Sequence, residues 1–126
     1  YLQYANARIS RLRKKAADAG IVLPAPALER LNAHELGLVK LLAQFPRIVE
    51  AAALAREPHR IAFYLADVAA AFHAWYNLGN DDPGLRIVLE NDPELTATRL
   101  YLADGIGQVI RNGLSLMGVE AIEEMV

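Results

Sequence analysis

The 126-residue sequence contains no cysteine, and it has no apolar run near the roughly 18 residues that a membrane-spanning helix needs. Without cysteine there can be no disulfide, no thiolate metal ligand and no thiol nucleophile. The first residues also lack the basic, apolar and small succession that marks a secretion signal. We therefore expect a cytoplasmic protein without redox chemistry that does not enter a membrane.

The apolar content is sufficient for one packed core. Hydrophobic residues make up 54% of the sequence and charged residues 22%, a balance that is typical of a folded domain rather than a disordered chain. A chain of this length is long enough for one domain with a core and short for two. We expect a single domain over residues 1–126.

Positive charge is concentrated near the N-terminus. Residues 1–23 carry five Lys or Arg against one Asp, residues 24–60 carry five against four acids, and residues 61–126 carry three against ten. A bound polyanion would therefore meet the first helix and its neighbours, because the C-terminal half would repel phosphate. The net charge of −2 conceals this separation, which excludes a uniformly basic nucleic-acid binder.

Apolar spacing and helix stop signals predict an all-α fold, an antiparallel helical bundle of about five helices. Gly20, Gly79 and Gly118 are predicted to end helices, and Asp92 is predicted to cap the last one with Pro93 in its first turn. The predicted segments are helices at 1–19, 34–45, 46–56, 59–79 and 93–118, a turn-rich insertion near 80–92 with a short extended stretch at 85–89, and a tail at 119–126.

The first helix has an aromatic and basic stripe beside its apolar stripe. At three- and four-residue steps, one helix face receives Tyr1, Tyr4, Arg8, Arg11 and Lys15. The apolar stripe, roughly 80° away, is expected to face the core and consists of Ala5, Ile9, Leu12, Ala16 and Ala19. Aromatic rings beside fixed positive charge suit the stacking of unpaired bases and the binding of their phosphates. The alternative is that the tyrosines complete the core and the basic residues are merely solvated.

The sequence offers no catalytic or metal-binding motif. His59 and His73 would be about 21 Å apart along one helix, too far to share a metal ion. Leu38 stands where a zinc-protease motif that begins at His34 would need its second histidine. The Gly-Ile-Gly stretch at Gly105 lacks the third glycine and the preceding strand of a dinucleotide loop. We expect these small residues to allow a close approach between helices instead.

Several segments of the sequence together resemble one protein family. They are YLQYANARI at 1–9, FPRIV at 45–49, EPHR at 57–60, AFHAWYN at 71–77, QVIRNGLSLMGV at 108–119 and EEMV at 123–126. In this order, over essentially the whole chain, they are similar to the C-terminal DALR anticodon-binding domain of class I arginyl-tRNA synthetases. The resemblance implies a helical bundle that binds the anticodon stem-loop of tRNA-Arg. The alternatives are the same domain type from a cysteinyl- or glycyl-tRNA synthetase, or a helical protein-interaction module.

The resemblance further implies that the chain is a fragment of an arginine–tRNA ligase. The catalytic domain, with its ATP and Mg²⁺, would belong to the same polypeptide but lies outside this sequence. We therefore expect no catalytic residue, no metal and no cofactor in residues 1–126, and neither DNA nor a membrane as a partner.

The family pattern assigns tRNA contacts residue by residue. Tyr1, Tyr4 and Arg8 match the family's helix that faces the anticodon loop. Tyr76 and Asn77, together with Met125, match regions that form a pocket for the middle anticodon base. Arg11 and Lys15 are candidate phosphate contacts, which would add affinity without reading sequence. The sequence assigns three further residues of the same segment to packing, namely Phe72, His73 and Trp75.

Overall fold

The computed structural model describes the backbone of residues 2–125 and the side chains of residues 2–118. This described part is helical and contains no β-strand, which confirms the predicted all-α bundle. Single turns of 3-10 helix occur at Leu28–Arg30 and Pro83–Leu85, within the two long connections. The α-helices are α1 (Leu2–Asp18), α2 (Ala33–Ala43), α3 (Phe45–Ala55), α4 (His59–Asp81) and α5 (Pro93–Met125).

The two long helices, α4 and α5, form the centre of the bundle. They have the most extensive contact with each other, α1 packs against both, and α2 and α3 pack against α4. Burial of each large apolar side chain contributes on the order of 1.5–3 kcal/mol, so the contact between α4 and α5 is the main source of packing energy. Its largest fully buried apolar side chains are Leu65, Phe72, Trp75, Leu100, Ile106 and Ile110.

Helix α1 lies on the bundle through its predicted apolar stripe. The helix ends in a Schellman motif, in which Gly20 has a φ of +73° and the Ile21 N–H donates to the Ala16 carbonyl at 3.1 Å. Ala19 follows the last helical residue and is exposed, so its predicted place in the core stripe is wrong. The buried residues of α1 are Ala5, Ile9, Leu12 and Ala16.

Two predicted helix ends are wrong. Helix α4 continues past Gly79 to Asp81, and Gly79 is buried where the chain returns beside it. A Cβ at Gly79 would lie 2.7 Å from Arg86 Cγ and 3.0 Å from Arg86 Cα, so glycine is required for close approach and not for termination. Helix α5 likewise continues past Gly118 to Met125, because glycine within a helix costs stability but does not break it.

The connection between α4 and α5 is irregular, as the insertion near residues 80–92 predicts. It contains no extended strand, and its apolar residues Ile87 and Val88 are buried against the core. Asp92 caps α5 as predicted, since its carboxylate accepts a hydrogen bond from the Leu95 N–H at 3.2 Å. Pro93 occupies the first turn of that helix.

A buried ion pair joins three helices and this connection. Glu35 on α2 and Arg99 on α5 are 1% and 4% exposed, and Arg99 Nε donates to Glu35 Oε2 at 2.9 Å. The same oxygen accepts from Trp75 Nε1 on α4 at 3.1 Å. Arg99 Nη1 donates to the carbonyls of Gly84 and Arg86 at 2.9 and 2.8 Å. The position of the turn after α4 is therefore fixed from within the core.

Candidate nucleic-acid interface

Four side chains from α1 and α4 meet at one edge of the bundle. Tyr4 and Arg8 lie one turn apart on α1, and His73 and Tyr76 lie three residues apart on α4, so each pair shares a helix face. The buried stripe of α1 packs next to them and leaves Tyr4 and Arg8 at the border of the contact with α4. We refer to these four residues as the aromatic–arginine cluster.

Arg8 occupies the centre of the aromatic–arginine cluster. Its Cζ lies 4.1 Å from the centroid of the Tyr76 ring and 4.9 Å from that of the Tyr4 ring. Arg8 Nη2 donates to the Tyr4 hydroxyl at 2.8 Å, and Nη1 donates to His73 Nδ1 at 3.1 Å. The rings of Tyr4 and His73 stack with their centroids 5.3 Å apart. These cation–π and hydrogen-bond contacts fix a positive charge among aromatic rings at the surface.

Burial and the contact with Arg8 both favour the neutral form of His73. An arginine N–H can only donate, so His73 Nδ1 must be the acceptor and the proton of the neutral ring must be on Nε2. Burial lowers the pKa of His73, and the adjacent positive charge of Arg8 lowers that pKa further. His73 is therefore neutral at pH 7.

Basic residues extend this surface along α1. A groove of about 200 Å³ is lined by Arg8, Arg11, Leu12, Lys15 and Tyr76. Arg11 and Lys15 are exposed, and within residues 2–118 no carboxylate forms an ion pair with either.

The opposite flank of α1 has no such free charge. Arg13 lies across the apolar stripe from Arg11 and Lys15. It forms a bidentate ion pair with Asp104 of α5 through its Nε and Nη2 groups. Arg13 is thus neutralised on its flank, whereas Arg11 and Lys15 beside the cluster, and the exposed Lys14 on the solvent face, have no carboxylate partner within residues 2–118.

The profile of the DALR anticodon binding domain matches residues 2–125, nearly the whole chain. The chain belongs to this family. The helical bundle described above is in accord with that match, and it places an aromatic and cationic surface on the domain. No solved structure matches the chain significantly.

Relatives of this DALR domain are longer proteins. The arginine–tRNA ligase of Novosphingobium aromaticivorans is 58% identical over 125 residues, which are 99% of this chain and 22% of that protein. The arginine–tRNA ligases of Azorhizobium caulinodans and Xanthobacter autotrophicus are 49% and 45% identical, and 99% of this chain covers 23% of each. The DALR domain thus spans about a fifth of the length of these relatives.

The DALR domain brings together most of the predicted contact residues. Tyr4, Arg8 and Tyr76 touch one another within the aromatic–arginine cluster, although they come from two helices that are far apart in sequence. Arg11 and Lys15 flank the cluster on α1. Their proximity is established, and their binding to RNA stays a prediction.

Of the remaining predicted contact residues, Asn77 is the one whose side chain the structure describes, and it is not part of the cluster. Asn77 is exposed on α4, and the hydrogen bonds and ring contacts of the cluster do not include it. Tyr1 and the side chain of Met125 lie outside the residues that the structure describes. The predicted base pocket of Tyr76 with Met125 therefore stays a prediction.

His73 belongs to the cluster, whereas the sequence assigns it to packing alone. It is half-buried and contacts both Arg8 and Tyr4. Its spacing of three residues from Tyr76 is the signal that could have found it, because residues three apart share a helix face. Phe72 and Trp75 are buried in the core as predicted.

The other motifs considered from the sequence have structural roles. His59 lies 3.5 Å from the carboxylate of Glu57 at the start of α4. Gly105 and Gly107 lie inside α5. A Cβ at Gly107 would lie 3.1 Å from Arg111 Nη1 and 3.3 Å from Asn6 Oδ1, so this glycine permits close packing as predicted. A Cβ at Gly105 would make an ordinary contact of 3.6 Å with Leu42, so close packing does not require that glycine. Among the described side chains, no three His, Asp or Glu residues converge as a metal site would require. None of the described helices is sufficiently long and apolar to span a membrane.

Proposed function

We propose that this DALR domain binds the anticodon stem-loop of tRNA-Arg as part of an arginine–tRNA ligase. The ATP- and Mg²⁺-dependent charging of tRNA would be carried out by a catalytic domain elsewhere in the same polypeptide. The observation that carries the proposal is the guanidinium of Arg8 between the rings of Tyr4 and Tyr76 at the edge of the bundle. The names of the relatives, which are arginine–tRNA ligases, support the choice of tRNA.

In this proposal the aromatic–arginine cluster receives bases and the flanking residues receive phosphates. Bases splayed out of an RNA loop stack on aromatic rings or on guanidinium planes, with about 1–3 kcal/mol per stacked base. Tyr4 is 47% exposed, so part of its side chain is accessible to such a base. Arg11 and Lys15 would neutralise the adjacent phosphates, which positions the RNA without reading its sequence.

The charge distribution supports the same orientation. Residues 1–23 carry the excess of positive charge, whereas the C-terminal half carries three basic residues against ten acids. An RNA hairpin would therefore be drawn to the flank of α1 that bears the cluster and repelled from much of α5. The domain would hold the anticodon while the distant acceptor end reaches the catalytic domain.

The salt dependence of binding tests this proposal. A fluorescently labelled anticodon hairpin of tRNA-Arg should bind more weakly as salt rises, with a slope of about −0.7 per phosphate contact in a single-stranded loop. Arg8→Ala should weaken binding and make the slope shallower, whereas Arg47→Ala, at an exposed position of α3, should change little. Binding that does not depend on the salt concentration, or the absence of binding, would indicate that the domain is a protein-interaction module instead.

A second comparison separates base reading from phosphate binding. Tyr76→Ala should cost about 1–3 kcal/mol of binding free energy for the cognate hairpin, and less for hairpins with a changed middle anticodon base, which bind worse from the start. Lys15→Ala should weaken cognate and altered hairpins alike. Circular dichroism must show that both variants are folded, because Tyr76 is half-buried. If Tyr76→Ala weakened the binding of every hairpin equally, Tyr76 would contribute to RNA binding in general and would not form a pocket that reads the middle base.

A further inference from the structure

A second groove adjoins the aromatic–arginine cluster at Tyr76. It has a volume of about 320 Å³, and it is bordered by α1, the C-terminal end of α4 and the irregular connection that follows. Lys15 and Tyr76 line both this groove and the one beside Arg8, so the two grooves adjoin. The charged residue that lines the second groove but not the first is Arg86.

The main chain of Arg86 is held on two sides. Its Cα and Cγ pack where Gly79 lacks a side chain, and a Cβ there would come within 2.7 Å of Arg86 Cγ. Its carbonyl accepts a hydrogen bond of 2.8 Å from the buried guanidinium of Arg99. The backbone that carries Arg86 is therefore tied to α4 and to α5.

The side chain of Arg86 is oriented as well. Its Nε donates to the carbonyl of Gly79 at 3.2 Å, which leaves the two Nη groups at the end of the guanidinium for a ligand. A pair of terminal N–H groups suits bidentate hydrogen bonding to a phosphate or a carboxylate. Within residues 2–118 no acidic side chain forms an ion pair with Arg86 or with Lys15.

The charge of the lining favours an anion in this groove and not in the next one along the connection. The lining of the second groove contains two basic residues and no acid. A third groove of about 570 Å³ shares Lys15 and Arg86 but is also lined by Glu90 and Asp92. Asp92 already pairs with Arg30, and Glu90 would repel a phosphate.

We infer that Arg86 and Lys15 hold an RNA phosphate in the groove beside Tyr76, so that the connection between α4 and α5 forms one wall of the anticodon site. This inference rests on the proposed function. The irregular segment would then help to position RNA. If one base of the anticodon loop stacks on the aromatic–arginine cluster, the phosphates that follow it would lie beside Lys15 and Arg86. Because a phosphate carries no base identity, this subsite adds affinity and register and not sequence reading.

The inference is tested by hairpin binding to the full-length protein with Arg86→Gln, and with Arg47→Gln as the matched control for loss of one exposed charge. Arg86→Gln should weaken binding about tenfold, as expected for one hydrogen bond to a charged group, and should reduce the salt slope by about 0.7. Cognate hairpins and hairpins with altered anticodons should lose equally. Arg47→Gln should leave both the affinity and the slope near those of the wild type.

Neutral methylphosphonates, placed at each loop phosphate in turn, locate the contact. At one position the wild-type protein should lose at least about tenfold in affinity, and Arg86→Gln should lose less, because one of the two contacts to that phosphate is already absent. Lys15→Gln should likewise lose less than the wild type at that position, and this exposed variant decides the matter if Arg86→Gln does not fold. One outcome would contradict the phosphate subsite alone. In that outcome the wild type binds the hairpin, Arg8→Ala binds it weakly, and Arg86→Gln has the same affinity as Arg47→Gln, so the proposed function stands. If the wild type binds no anticodon hairpin, the proposed function itself fails.

Discussion

A surface arginine is normally free to sample many rotamers, and fixing it on binding costs conformational entropy. Arg8 is already held by two rings and two hydrogen bonds, so most of that cost is met when the domain folds. The spacing of α1 predicts Tyr4 and Arg8 on one face. Their contact with His73 and Tyr76 could not be predicted, because it depends on how α1 crosses α4, and single-helix periodicity contains no information about crossing.

At this scale we expect mild acid to destabilise the domain through His73. Its pKa in the folded chain is lowered by burial and by Arg8, so the unfolded chain takes up the proton more readily. The stabilisation is complete above the ordinary histidine pKa of about 6.5 and is lost as the pH falls through the lower folded pKa. Urea unfolding at about pH 7.5 and 5.5 measures the loss.

His73→Asn should show a smaller loss between these two pH values, because an amide oxygen can accept the Arg8 hydrogen bond without titrating here. The exposed variant His34→Asn is the matched control and should retain the full loss. The pKa of Asp92 is about 2, held down by its ion pair with Arg30, so that pair stays intact throughout the range. An equal loss in wild type and His73→Asn would contradict the assignment.

At the scale of whole elements, the helices could be predicted and their ends only in part. Pro46 and Pro93 each stand in a first turn, where the lost N–H needs no partner, and both helix starts are confirmed. Gly20 ends a helix, whereas Gly79 lies inside one. A glycine signals either a left-handed residue or a close backbone contact, and only the tertiary packing decides between them.

The irregular connection shows a second limit. The short apolar run predicts an extended stretch at 85–89, but the run has no periodicity that shows which of its residues face the core, so the burial of Ile87 and Val88 and the position of Arg86 could not be predicted. The capping box of α2 was recognisable in principle, since Asn32 and Glu35 have the required spacing. Its second function, the ion pair of Glu35 with Arg99, joins positions far apart in sequence and could not be seen there.

Two helical glycines should respond to alanine with opposite sign. A Cβ at Gly113 would come within 2.5 to 2.9 Å of the Leu65 side chain, which is fully buried and cannot move aside. We expect Gly113→Ala to lower the free energy of unfolding by about 1–3 kcal/mol. Gly37 on α2 has open space around it, so Gly37→Ala should raise stability by up to about 1 kcal/mol.

Thermal and urea unfolding of both glycine variants provide the comparison. The two substitutions are chemically identical and differ only in the surroundings of the glycine, so helix propensity alone predicts higher stability for both variants. A gain at Gly113 would mean that α4 and α5 are farther apart than the structure shows.

At the scale of the whole molecule, the ion pair of Glu35 and Arg99 ties the bundle together. Removing one member of a buried ion pair costs about 3–5 kcal/mol, because the other charge stays buried without compensation. Glu35→Ala would leave Arg99 in that state and would also remove the acceptor of Trp75 Nε1. We expect a loss of stability in this range, read by the fluorescence of Trp75, the only tryptophan.

Glu50→Ala, at an exposed position of α3, is the control and should stay within about 0.5 kcal/mol of the wild type. A double variant, Glu35→Gln with Arg99→Met, should lose less than the sum of its two single variants, since no charge is then left buried. Additive losses would show that the two side chains act independently.

The same ion pair has a consequence for how this domain can diverge. A change at Glu35 or at Arg99 alone passes through a state with a buried, uncompensated charge, so the two positions should be substituted together or not at all. Arg99 also binds the carbonyls of Gly84 and Arg86, so a lineage that has lost the pair is released from a fixed length between α4 and α5. Insertions and deletions in this connection should therefore accumulate in those family members that lack both charges.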